Sequence, residues 1–106
     1  MKIRIERPNR LGRQMARQRI EEQISAAMEQ YKGQASALRL EWLQDNPEID
    51  RLSVAGSVYG NKVSGDVSVS EEMLIIDADL SGPLLWLVKK ETVESMVSKE
   101  LEKLGL

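Results

Sequence analysis

Cysteine, histidine and phenylalanine are all absent from these 106 residues. Without cysteine there is no disulfide framework, thiol nucleophile or thiolate metal site, and without histidine there is no imidazole base and no common zinc or haem ligand. Most familiar catalytic constellations are thereby excluded, and the sequence offers no catalytic residue, metal ligand set or cofactor motif. Long apolar runs are missing too. Nothing approaches the roughly 20 residues needed to cross a bilayer, and residues 1–19 alternate apolar with charged instead of carrying a signal peptide's apolar stretch. The expected location is the cytoplasm. The two tryptophans lie outside the basic segment and the isoelectric point is about 5.2, so neither a basic stripe nor a stacking platform for nucleic acid is present.

What is present is a strong charge asymmetry. Seven of the fifteen basic side chains fall within residues 1–19, against the single acid Glu6, so a chain of net charge −2 is about +6 at one end and −8 beyond it. Such an imbalance is either neutralised inside the fold or presented to an anionic partner. At 42% hydrophobic and this length, the expectation is one domain over residues 1–106 with one core.

Lys2-Ile3-Arg4-Ile5-Glu6 alternates strictly, the period of a half-buried strand with Ile3 and Ile5 inward, and Pro8 ends it. From residue 13 the period becomes helical: Ala16, Ile20, Ile24, Ala27, Met28 and Tyr31 recur on one face, with Gly12 as N-cap, Leu11 packing back as a staple and Gly33 as the stop. Leu38, Leu40 and Trp42 then alternate with Arg39 and Glu41 in a second strand that closes in the loop Gln44-Asp45-Asn46-Pro47.

The next thirty residues carry a register. A Gly60-Asn61 hairpin turn sets Val58 opposite Val63, Gly56 opposite Gly65 and Leu52 opposite Val69; a Glu71-Glu72 turn sets Val69 opposite Leu74, Gly65 opposite Ala78 and Val63 opposite Leu80. Both assignments agree on one buried face. They also place Gly56, Gly65 and Ala78 in a single row, a trough crossed either by a close-packed helix or by a ligand. Val93, Met96, Val97, Leu101 and Leu104 form the stripe of a last helix, from about 90 to 104, expected to dock on that face.

The pieces assemble as an α+β fold, β-α-β-β-β-β-α, with a five-stranded, mainly antiparallel sheet of order 2-3-4-5-1 and two helices packed on one face. On the opposite face Asp77 and Asp79 should meet Lys2 and Arg4 across strands. These carboxylates are expected to be structural, since no nucleophile or cleft is implied beside them.

Two features stand out as candidate contacts. Arg10, Arg13 and Arg17 surround the start of the first helix, where the helix dipole disfavours cations, so local stability does not ask for them. They suit an anion or an acidic partner, the alternative being ordinary pairing with Glu21, Glu22 or acids elsewhere. The run Leu84-Leu85-Trp86-Leu87-Val88, between Gly82-Pro83 and Lys89-Lys90, either closes the core or, if exposed, serves as an interfacial anchor or one half of a homodimer interface.

The start Ile3-Arg4-Ile5-Glu6-Arg7-Pro8-Asn9-Arg10-Leu11-Gly12, followed by Ala16-Arg17, the Val63-Ser64-Gly65 hairpin leading into Val67 and the basic-then-amphipathic end, resembles the polyhydroxyalkanoic acid system family of small bacterial proteins encoded among polyester-storage genes. Members often carry histidine where this chain has Asn9. The resemblance implies a cellular setting: a non-enzymatic accessory protein that binds a protein partner or a granule surface. The alternative is a helix-grip-type binder that holds an acyl or aromatic ligand between the sheet and the last helix, over Gly56, Gly65 and Ala78.

Overall fold

In a computed structural model, described over residues 1–30, 35–58, 60–82 and 89–106, the element order is β1 (Lys2–Pro8), α1 (Arg13–Gln30), β2 (Ala35–Asn46), β3 (Ile49–Val58), β4 (Asn61–Val69), β5 (Met73–Ser81) and α2 (Lys90–Lys103). The sheet is antiparallel throughout, in the order β1-β5-β4-β3-β2. This is the expected topology, with α1 carrying the chain from one edge of the sheet to the other.

One face of the sheet is apolar because the strands alternate in phase. Ile5, Ile76, Val67, Leu52 and Trp42 form one cross-strand row, and Ile3, Ala78, Gly65, Val54 and Leu40 the next. Ile3, Ile5, Leu52, Val69 and Leu74 are buried there together with Ala16 and Ile20 of α1 and Leu101 of α2. α1 packs over β3 and β4, whereas α2 lies over β1 at the sheet's edge. The last helix therefore does not cross the middle of the sheet as its apolar stripe suggested, and Met96, one of that stripe, is 62% exposed.

α2 ends in a Schellman motif: the Gly105 N–H donates to the Glu102 carbonyl and the Leu106 N–H to the Leu101 carbonyl at 2.9 Å. Gly105 takes φ +87, a left-handed conformation that a Cβ would strain. The motif turns Leu106 inward, where it is buried with Leu101.

The β4–β5 register is the expected one, but the β3–β4 register is displaced by two residues. Val58 pairs with Asn61, so Gly56 faces Val63 and Gly65 faces Val54. Gly60, between the paired Val58 and Asn61, adopts φ +78. A two-residue shift keeps every side chain on its face, so the core survives, but the row of Gly56, Gly65 and Ala78 does not form. Gly65 has a different reason to be glycine. A Cβ there would run into the Asp77 carbonyl oxygen and lie 2.8 Å from Ala78 Cα, so β4 and β5 approach too closely for a side chain.

β2 also runs further than expected, to Asn46, with bulges between Ser36 and Arg39 and between Leu43 and Asn46. Asn46 and Ile49 close a Pro47-Glu48 turn in which the Asn46 side-chain oxygen accepts the Glu48 N–H at 2.9 Å. On the open face, Arg4 donates to Asp77 at 2.7 Å and to Glu6 at 2.9 Å. Its guanidinium is raised above its ordinary range, first by Glu6 and then by Asp77. Lys2 stands opposite Asp79 in the register without an ion pair to it.

Candidate partner-binding surface

Four of the seven cations in the first nineteen residues, Arg4, Arg7, Arg13 and Arg17, are engaged by the fold. Asp50, the second residue of β3, lies on the inward-facing phase opposite Val69 and is 7% exposed. An isolated carboxylate at that depth would be strongly unfavourable, and it is compensated by two cations from the first turns of α1. Arg13 Nε lies 3.8 Å from one carboxylate oxygen and Arg17 Nη1 lies 3.6 Å from the other. Arg13 also donates to the Pro47 carbonyl. Arg17 pairs with Glu21 at 3.2 Å and stacks over the Trp42 ring at 4.4 Å. The two arginines thus fasten α1 to β3 and the β2–β3 turn, which is the structural alternative to an anion site. Arg7 acts similarly between β1 and α2, donating to the Ser98 carbonyl and approaching Glu102.

Arg10 is not held in this way, and neither are Lys2 and Arg19; all three are exposed without an ion pair or hydrogen bond among the described residues. Asn9, the neighbour of Arg10, is 8% exposed and fully used: Nδ2 donates to the Ser70 carbonyl at 2.7 Å, Oδ1 accepts the Leu11 N–H at 3.1 Å, and its own backbone N–H donates to the Glu72 carbonyl. Asn9 therefore pins the β1–α1 connection to the β4–β5 turn. It was passed over in the sequence as a departure, although a short amide after a strand-ending proline is a recognisable turn former.

This pole of the molecule has a distinct surface. Leu11, Gly12, Arg13, Met15 and Glu71 line one shallow depression, and Arg13, Glu48, Glu71 and Met73 line another beside it. Met15, 44% exposed, and Met73, 38% exposed, are two of the three large hydrophobic side chains that stand out to solvent among the described residues. Polarizable, flexible methionines suit a contact surface that must adapt to its partner, and the charges lining these depressions are Glu48, Glu71 and Glu72 with Arg13, while Arg10 lines neither.

The other expected sites are not brought together here. Gly65 and Ala78 line an open groove of about 440 Å³ with Ile3 and Ser64, but Gly56 is not among its residues, and the remaining lining residues, Lys2, Arg4, Asp66, Asp77, Asp79 and Lys90, are all charged. That lining does not favour an acyl or aromatic ligand. Asp77 and Asp79 point to the open face as expected, Asp77 held by Arg4 and set opposite Asp66. Leu84, Leu85, Trp86, Leu87 and Val88 lie outside the described residues. Among the described residues, no group of three or more acidic side chains could hold a metal ion, and no helix is long and apolar enough to cross a membrane.

A family model described as "Putative polyhydroxyalkanoic acid system protein" matches residues 3–104. No curated protein and no solved structure matches the chain.

Proposed function

We propose that this chain, which belongs to the polyhydroxyalkanoic acid system family, is a cytoplasmic, non-enzymatic accessory protein that attaches to a polyester granule or to a protein on it. The observation that supports this reading is the exposure of Met15 and Met73 in neighbouring depressions around the start of α1, with exposed Arg10 preceding Leu11 of one of them in the chain. Apolar contact would supply most of the attraction, at about 25 cal/mol per Å² removed from water, and Arg10 would orient the chain against carboxylate or other anionic groups. The Leu84-Leu85-Trp86-Leu87 run belongs to the same reading as a second apolar contact.

The arrangement also dictates how the reading is tested. Arg13 and Arg17 hold Asp50, so substituting them would damage the fold and the surface together. Arg10→Glu and the pair Met15→Ser, Met73→Ser alter the surface alone. Purified granules are sedimented with each variant after circular dichroism has established an unchanged fold. Wild-type protein is expected in the pellet, with Arg10→Glu reduced and the triple variant in the supernatant; equal pelleting of wild type and triple variant removes the pole from consideration.

A further inference from the structure

The sheet has two unpaired edges, β1 and β2, and they are treated differently. An open edge presents a row of free backbone N–H and C=O groups that can template pairing with another strand. β1 is short, ends in Pro8, and has the outward charge of Arg4 satisfied by Glu6 and Asp77. β2 runs over twelve residues, and its regular stretch, Arg39 to Leu43, lies between two bulges. On the open face of that stretch stand Arg39 and Glu41, both exposed and with no ion pair or hydrogen bond among the described residues. Their cross-strand neighbours on β3 are Ala55 and Ser53, which carry no charge. Leu40 and Trp42 alternate with them on the core face, where they are only half-buried.

We propose that this edge pairs with the same edge of a second copy, antiparallel about a twofold axis through Leu40, so that two five-stranded sheets become one continuous sheet with all helices on one side. In this register Arg39 of each copy stands directly opposite Glu41 of the other, and Leu40 meets Leu40 on the core face. An interface related by a twofold axis must be complementary to itself, and the Arg39-Leu40-Glu41 sequence has that property. Neighbouring registers do not. An axis through Arg39 or through Glu41 sets like charges against each other, and a slip of one residue sets a charged side chain against Leu40 or Trp42. The flanking bulges break the regular ladder on either side and confine pairing to this window. About an axis through Leu40 only Arg39, Leu40 and Glu41 of each copy pair inside this window, well short of a standard interface, so a dissociation constant on the order of 100 µM is expected.

Sedimentation velocity from about 10 µM to about 1 mM tests the pairing on the full chain. Wild type is expected to shift from monomer to dimer across that range. Arg39→Glu and Glu41→Arg alone each replace two attractive pairs by two repulsive ones, and each should weaken the dimer by about tenfold or more. The decisive sample is their equimolar mixture: one variant then carries two acids and the other two bases, so a heterodimer should form at least as tightly as wild type. The double variant Arg39→Glu, Glu41→Arg should likewise dimerise. A wild type that stays monomeric throughout, as expected if the edge serves a different partner strand, overturns the proposal. So does a dimer indifferent to both single substitutions, or a mixture no more associated than its components.

Discussion

Replacing Asp50 by asparagine keeps the shape of the side chain and removes the charge that Arg13 and Arg17 share. With carboxylate-to-guanidinium separations of 3.8 and 3.6 Å, each attraction is roughly 4 kcal/mol at an effective dielectric constant near 20. Much of that is offset. Desolvation of the carboxylate opposes it, about a third of each arginine side chain remains in water, and each arginine keeps another partner, the Pro47 carbonyl or Glu21. The net loss for Asp50→Asn is therefore about 2 kcal/mol, well below the 3–5 kcal/mol typical of a fully buried broken pair. For a chain of this size that lowers the melting temperature by roughly 8–16 °C. Urea unfolding followed by far-ultraviolet circular dichroism measures it. Adding Arg17→Gln to Asp50→Asn should cost less than Arg17→Gln costs in wild type, since the shared interaction is already gone. The reasoning fails if Asp50→Asn destabilises no more than Asp77→Asn, which breaks an exposed pair on the open face.

Three further substitutions probe the scaffold, each read by denaturant or thermal unfolding. Gly65→Ala forces β4 away from the Asp77 carbonyl and should cost about 2–3 kcal/mol, whereas the same change at a roomy strand position would be nearly neutral. Gly105→Ala strains the left-handed cap and loosens Leu106, a loss of about 1–2 kcal/mol that should show as faster amide exchange in the last turn of α2. Asn9→Ala leaves the Ser70 carbonyl and the Leu11 N–H without their partner and should cost about 2 kcal/mol; an unchanged midpoint would mean water replaces both bonds.

Strand alternation carried most of this fold. Ile3 and Ile5, the valines of β4 and the Leu74-Ile76 phase of β5 mark one buried face without ambiguity, and the β4–β5 register follows from the two residues between Ser70 and Met73. The β3–β4 register was harder because pairing Val58 with Asn61 or with Val63 differs by an even slip, which alternation cannot distinguish. Gly56 consequently faces Val63 and Gly65 faces Val54, and the Gly56-Gly65-Ala78 row was lost. Asp50 was the more consequential omission. It falls on the inward phase of β3 with Leu52 and Val54, and an acid on a core-facing phase implies an inward cation, which Arg13 and Arg17 supply from more than thirty residues away in the chain. No local pattern discloses such a pairing. The Schellman cap at Gly105 was not among the features read from the sequence, although glycine just past a helix is its usual mark. The lateral placement of α2 over β1 was not legible because the stripe on a helix gives its buried side but not its position along the sheet.

The central claim, that the pole around the start of α1 is the contact surface, is tested most directly by hydrogen–deuterium exchange of the intact chain with and without purified polyester granules. Slowed exchange confined to peptides spanning residues 10–18 and 70–73, with β1 and the open face of β5 unchanged, is the predicted result. Protection elsewhere with none at this pole, or no protection on granules that demonstrably sediment the protein, would contradict it.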